Sequence, residues 1–435
     1  MTHEPLTASL AGPGIRVWEL AHVLAADHAV TIGTPNDSPL RSATVKVRSY
    51  RDGGMSRLLG EHSIVVAFGY LLREFPEIRQ RARYLVMDLY DPFLLENLLM
   101  HDDLPMERRE AVHAYDLGVV TDQLRQADFF ICASERQRDY WLGALSLVNR
   151  VDPKEYAEDP TLRKLLDVVP FGLSSDPPRP NRSAITIETP TIRPDDFVVL
   201  WAGGIWNWFD PLTAIRAAAR LREEVPELRL YFLGLRHPNP DLPQMEMARQ
   251  ALALAEKLNV LDSHVFFREG WVPYEQRVDY LCSASVGISL HFQHVETRFA
   301  FRTRLLDYLW AGLPVISTAG DVLSDEICAG GAGLSVAEGD LDGVIAALRS
   351  LARDPGRRQQ MRGCAKELAA RHTWPLAAEP LAAYCRRPRQ SRAKSSIDPN
   401  DGTWRPRLHA LWQRSKVRRA AGKLRRRLRR GRRQA

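Results

Sequence analysis

No run of apolar residues in the 435-residue chain approaches the roughly 18 that a membrane-spanning helix needs. Cysteine is scarce, with five residues at 132, 282, 328, 364 and 385. Their odd number and scatter exclude a disulfide framework and fit a reducing cytosol. No Asp-x-Asp-like or His/Cys constellation suits a metal, so neither metal nor cofactor is expected. The opening residues, Met-Thr-His-Glu-Pro, lack the basic-then-apolar order of a secretory signal. A cytoplasmic protein is expected. Acids are nearly absent from one end: residues 386–435 hold 19 of the 60 Lys and Arg but only two of the 53 acids, Asp398 and Asp401. The formal charge of +7 therefore belongs to a tail, and residues 1–385 are acidic by ten charges.

With 45% hydrophobic residues and this length, two domains with ordinary cores are expected. Strand-like runs such as Ser63–Phe68, Tyr84–Met87, Asp128–Ala133, Phe197–Ala202, Leu228–Leu233 and Ser285–Leu290 alternate with helical patterns. Alternation of this kind implies parallel sheets covered by helices. A Pro-, Ser-, Asp- and Arg-rich stretch, 174–195, reads as the linker between the domains.

The most informative stretch is Glu296-Thr-Arg-Phe-Ala-Phe-Arg-Thr-Arg-Leu-Leu-Asp-Tyr-Leu-Trp-Ala-Gly-Leu-Pro-Val-Ile316. It opens with an acid and three arginines, 298, 302 and 304. Helical apolar spacing follows at Leu305, Leu306, Leu309 and Trp310. Gly312 and Pro314 stop the helix, and Val315-Ile316 begins a buried strand. Ligands of parallel sheets bind beyond the strands' carboxyl ends, near helix N-termini that attract anions. An arginine-rich loop at that place points to an anionic ligand.

This stretch resembles the donor-binding segment of retaining GT-B-fold glycosyltransferases (glycosyl transferases group 1), written as Glu, seven residues, Glu, then Ala-x-x-x-Gly-x-Pro-Val-Ile. Ala311-Gly-Leu-Pro-Val-Ile316 matches the tail and Asp307 falls on the second acid. Phe299 stands at the first acid's place, with Glu296 three residues earlier. The resemblance covers about residues 9–385. It implies two Rossmann-like domains with a deep cleft: an acceptor-side domain over 1–180, a nucleotide-sugar domain over 181–372, and a helix over 373–385 crossing back. Residues 386–435 form a linker and basic tail.

The resemblance assigns Asp307 to ribose hydroxyls and Glu296 to the sugar side. After Phe197–Ala202 the family carries an Arg and a Lys on the diphosphate. Here Gly203, Gly204, Asn207 and Trp208 occupy that loop, so backbone N–H groups, Asn207, Thr303 and arginines 298, 302 or 304 are the candidates for the donor. Trp271 or Tyr274, after a Gly-x-Val-Pro turn, is placed to stack on a base; core packing is the equal alternative. In the first domain, Gly12, Gly14 and Arg16 form a loop and helix start suited to phosphate or acceptor; a plain turn is the equal alternative. Asp88 substitutes for a catalytic His that has no clear match, and Asp91 reads as a cap for the helix near Pro92. Because such a domain places a strand before its first loop and helix, the natural start is expected several residues upstream of Met1.

From Trp404 onward, Leu408, Leu411, Trp412, Val417, Ala421, Leu424 and Leu428 recur between arginines, the pattern of a basic amphipathic helix. The apolar stripe and two tryptophans favour an anionic membrane surface over nucleic acid. The expected protein is a metal-independent hexosyltransferase, peripheral on the inner membrane face, acting from a nucleotide-sugar onto a glycan or lipid-linked acceptor. The alternatives are a noncatalytic scaffold of the same fold, or an epimerase or phosphorylase.

Overall fold

The computed structural model describes residues 1–101, 104–235 and 245–391. Residues 404–435, and Arg236 and His237 after one strand, lie outside the described residues. Met1–Ser391 form one compact unit of two α/β lobes. The first lobe contains β1 (Val30–Thr34), β2 (Val45–Ser49), β3 (Ile64–Phe68), β4 (Tyr84–Asp88), β5 (Phe129–Cys132) and β6 (Leu166–Val168). The second contains β7 (Phe197–Trp201), β8 (Leu228–Phe232), β9 (Val265–Phe267), β10 (Val286–Ser289), β11 (Val315–Thr318) and β12 (Gly333–Val336). Every pairing among them is parallel.

The second lobe's sheet runs β12-β11-β10-β7-β8-β9. Strand order reverses between β7 and β10, and a doubly wound sheet opens its ligand crevice at such a point. The strand-like runs Phe197–Ala202 and Ser285–Leu290 become β7 and β10, in which every residue is buried. The two crevice loops are tied together: Asp210 N–H donates to the Leu290 carbonyl (3.0 Å) and Phe292 N–H to the Trp208 carbonyl (3.1 Å). Asp210 also caps the helix Pro211–Leu221 through the Thr213 N–H.

The first lobe is split. β1 and β2 form a two-stranded sheet, and β3-β4-β5-β6 form a separate four-stranded one. Residues 1–3 lie between them, Met1 nitrogen donating to the Val66 carbonyl (2.7 Å) and Thr2 N–H to the Gly33 carbonyl (3.0 Å).

The stretch 174–195 is more ordered than its composition suggests. It contains a helix, Ala184–Glu188, and Asn181 N–H bonds the Asp279 carboxylate (2.7 Å). The chain crosses back after residue 372. Leu173 N–H donates to the His372 carbonyl and Trp374 N–H to the Leu173 carbonyl, while the Tyr384 ring stacks on Phe129 at 4.5 Å. Only glycine fits at 172, where a Cβ would lie 2.5 Å from the Trp374 backbone.

One side chain joins sheet and helix in the second lobe. Tyr308, on the helix Thr303–Trp310, packs its ring over Gly287 and accepts the Ala202 N–H through its hydroxyl (2.8 Å). That hydroxyl also reaches the Leu200 and Ile288 carbonyls. Tyr308→Phe leaves a buried N–H unpaired, so a loss of about 1–3 kcal/mol is expected. Urea unfolding checks this, with a lower midpoint and an unchanged m-value.

Candidate functional site

A cavity of about 540 Å³ lies between the lobes. Its second-lobe wall is the β7 loop, the β10 loop and the head of the helix Thr303–Trp310. Gly203 turns the chain after β7 with φ 83°, a left-handed conformation that favours glycine. Gly204 passes under the Trp271 ring, where a Cβ would approach within 3.3 Å. Trp206 and Trp208 stack at 5.3 Å and both face the cavity.

Arg304 is buried beside this turn. Its Nη2 donates to the Gly204 carbonyl at 2.7 Å, and its guanidinium sits 4.1 Å from the Phe209 ring centre. Nη1 has no partner. Burial lowers its pKa to about 10, which leaves it charged near neutrality. No side chain caps the helix head, and the Leu305 N–H turns back onto the Arg302 carbonyl (2.9 Å), so the head offers the Thr303 and Arg304 N–H groups to an anion. Arg302 and Thr303 line the cavity with it.

Asp307 also lines the cavity. Its carboxylate meets Arg277 Nε at 3.3 Å, and that guanidinium lies 3.7 Å over the Tyr274 ring. Burial raises the Asp307 pKa above its ordinary value, against the pull of Arg277. Trp271 and Tyr274 form part of the same wall, and each also reaches the first lobe. Trp271 Nε1 donates to the Leu10 carbonyl (3.1 Å), and the Tyr274 hydroxyl to Glu19 (2.8 Å).

Several expected site residues sit elsewhere. Asp88 does not face this cavity; it is a buried partner of Arg16, Nε to Oδ2 at 2.6 Å and Nη2 to Oδ1 at 3.1 Å. Arg16 also donates to the Val169 and Pro170 carbonyls, so four of its five N–H groups brace the lobe. Gly12 lines the cavity, whereas Gly14 packs behind it on Leu6 and Leu10. Glu296 is fully buried and bonds Arg302 at 2.7 Å. Asn207 accepts the Met247 N–H (3.3 Å), and Arg298 is exposed on the turn outside the cavity. Asp91 caps nothing: Pro92 is the cap residue of the helix Phe93–Met100, without a side-chain bond.

Other cavity residues had no motif to announce them. Asp91 and Glu96 face the cavity from the first lobe and are hydrogen-bonded to each other, which requires a shared proton. His3 stacks on Phe68 at 5.1 Å, with Nδ1 unpartnered. The Asp91–Glu96 spacing of five on a loop and helix start was the available signal. Arg277 was legible only as a polar helix residue.

Two facing lobes of this topology define the GT-B fold, and solved structures share it. WaaG, a glycosyltransferase involved in lipopolysaccharide biosynthesis, is 18% identical with TM-score 0.60, over 88% of this chain and 96% of that one. Sucrose-phosphate synthase from Thermosynechococcus elongatus is 16% identical with TM-score 0.62, over 88% and 95%. HepE from Anabaena in complex with UDP-glucose is 13% identical with TM-score 0.61, over 91% and 99%. In sequence, residues 196–354 match the family described as Glycosyl transferases group 1. A D-inositol 3-phosphate glycosyltransferase of Kribbella flavida is 30% identical over 220 residues, half of each chain. Residues 196–354 thus match a glycosyl transferases group 1 domain, and the fold is the one these glycosyltransferase structures share.

The acid pair gives the cavity a pH signature. Burial pushes Asp91 up to about 6 from 3.8. Burial raises Glu96 well above its ordinary value too, so Glu96 keeps the shared proton. The one that leaves first is Asp91's own, held more tightly in the folded protein than in the unfolded chain. The stability it contributes is full below about pH 4 and lost as pH rises through about 6. Asp91→Asn, which keeps an uncharged partner for Glu96, is expected to flatten the fall in Tm between pH 4 and 7. Thermal melts across that range check it.

Proposed function

We propose that the protein transfers a sugar from a nucleotide-sugar to a glycan or lipid-linked acceptor. The observation that carries this reading is Arg304: a buried, charged guanidinium with a free Nη1, beside a glycine turn and an uncapped helix head. Such a place suits a diphosphate, whose growing negative charge in the transition state needs fixed positive partners. Arg302 and the helix N–H groups add to it. Asp307, one turn further along the helix, suits a ribose hydroxyl. Trp271 and Tyr274 suit the base, and the stacked Trp206–Trp208 pair offers an apolar face beside the sugar.

In this reading, Asp91 and Glu96 hold acceptor hydroxyls on the opposite wall. The reaction retains anomeric configuration, and the leaving diphosphate receives the acceptor proton. The arginines supply the positive charge, so no metal is invoked. UDP is the first donor base to try, because HepE, a structural relative, is seen with UDP-glucose. A screen of UDP-, GDP-, dTDP- and ADP-sugars by thermal shift is expected to raise Tm for one base class. Asp307→Ala is expected to abolish that rise, and no shift with any donor in folded protein would overturn the reading.

The noncatalytic scaffold is the second reading. It is favoured by Asp88 and Glu296, the two expected catalytic acids, both being engaged in buried ion pairs. Release of nucleoside diphosphate from a bound donor separates the two. The basic stretch 404–435 is proposed to hold the enzyme at an anionic, cytoplasmic membrane face. Deleting it is expected to abolish sedimentation with phosphatidylserine vesicles, and unchanged binding contradicts the assignment.

A further inference from the structure

Arg277 opens the helix Arg277–Leu281, and its guanidinium is held on its face and along its edge. The face lies 3.7 Å over the Tyr274 ring, with the Trp310 ring at 5.0 Å. Along the edge, Nη1 donates to the Tyr274 carbonyl (3.0 Å) and Nη2 to the Tyr274 hydroxyl (3.1 Å). That hydroxyl donates in turn to Glu19, and the Tyr274 N–H donates to the Ala8 carbonyl (3.1 Å). The tyrosine under Arg277 is therefore anchored in the first lobe. A planar fork held this way loses little freedom when it binds a further partner.

That partner is Asp307, whose Oδ1 accepts from Arg277 Nε at 3.3 Å. Oδ2 has no hydrogen bond among the described residues, and the side chain, 28% exposed, lines the inter-lobe cavity. A carboxyl at such depth gives up its charge unless a cation stands beside it. Burial raises the Asp307 pKa, and Arg277 is the group that lowers it. The other titratable groups nearby are engaged elsewhere. Burial keeps Tyr274 and Tyr308 protonated, Glu19 receives the Tyr274 hydroxyl, and Glu275 is exposed. Arg304 turns to the Gly204 carbonyl. On the helix Pro355–Ala369, packed behind, Arg362 reaches the Ala284 carbonyl and Lys366 lies against Gly312.

We propose that Arg277 is a positioning residue for the donor nucleoside: it holds Asp307 by one carboxylate oxygen and presents the other, negatively charged, to a ribose hydroxyl. This rests on the assignment of Asp307 to the ribose under the proposed function. A charged acceptor bonds a hydroxyl more strongly than a neutral one does, so the pair strengthens binding of the nucleoside whichever base it carries. Arg277 itself touches no reacting atom. Because Tyr274 ties Arg277 to Glu19 and Ala8, the direction of the ribose acid is set by contacts that reach into the first lobe.

Calorimetric titration of UDP, GDP and ADP tests it, in the parent, Arg277→Met, Asp307→Asn and the double variant, at about pH 6 and about pH 8.5. The parent corrects for ionisation of the diphosphate itself. The Kd of Arg277→Met is expected to exceed the parent's at least about tenfold at the lower pH. That ratio is expected to shrink at the higher pH, where the carboxyl ionises without its partner. In the Asp307→Asn background the same substitution is expected to change Kd less than about twofold. Arg277→Lys keeps a charge beside the carboxylate and is expected to remove most of the pH dependence; it carries the test if Arg277→Met does not fold. A ratio that ignores pH, or an equal loss in the Asp307→Asn background, overturns the proposal and leaves sugar transfer standing. A folded parent that binds none of the three diphosphates overturns the proposed function and this proposal together.

Discussion

Two buried carboxylates around one guanidinium set the geometry of the inter-lobe cavity. Glu296 holds Arg302 at 2.7 Å, and Asp321 approaches the same side chain at 3.7 Å. All three lie away from water, and burial pushes Asp321 up to about 6. Breaking such a buried pair by removing one partner leaves an uncompensated charge and costs about 3–5 kcal/mol. Arg302 is the residue from which the helix Thr303–Trp310 departs. Fixing it fixes the direction in which Arg304 and Asp307 enter the cavity. Asp321 does double duty, since it also caps the helix Val322–Ala329 through the Leu323 and Ser324 N–H groups.

The opposite wall depends on a similar device. Arg16 and Asp88 join the first helix of the lobe to the end of β4, and Arg16 reaches the chain just past β6. That pair keeps the turn at Gly12 and Pro13 against the cavity. Contacts between the lobes' own elements also hold them together. Gln137 donates to the Tyr90 and Phe299 carbonyls, and Trp271 and Tyr274 reach Leu10 and Glu19. The aromatic residues placed for a base therefore also report on how the lobes sit.

The alternation of strands and helices was legible because it is written in local periodicity: β7 is a continuous apolar run, β10 and β11 carry Val and Ile and are wholly buried, and Gly312 with Pro314 marks the turn before β11. Arg304 and Asp307 were legible for the same reason, being three apart on one short helix. Partners distant in sequence were not. Asp88 read as a free acid because Arg16, 72 positions away, has no local signature. Glu296 read as a cavity acid because the turn that folds it back onto Arg302 is set by tertiary packing. Asp91 looked like a cap by its place before Pro92, yet it meets Glu96 instead. His3 belonged to no recognisable element, and its place follows from the position of residues 1–3 between β1 and β3.

On the proposed function, the free face of Arg304 receives the diphosphate. Calorimetric titration of a nucleoside diphosphate into the protein and into Arg304→Met tests it directly, since Met keeps the apolar contact with Phe209 without the charge. At least a tenfold weaker Kd is expected for the variant, about 1.4 kcal/mol. Equal affinity in a variant that melts like the parent would contradict it.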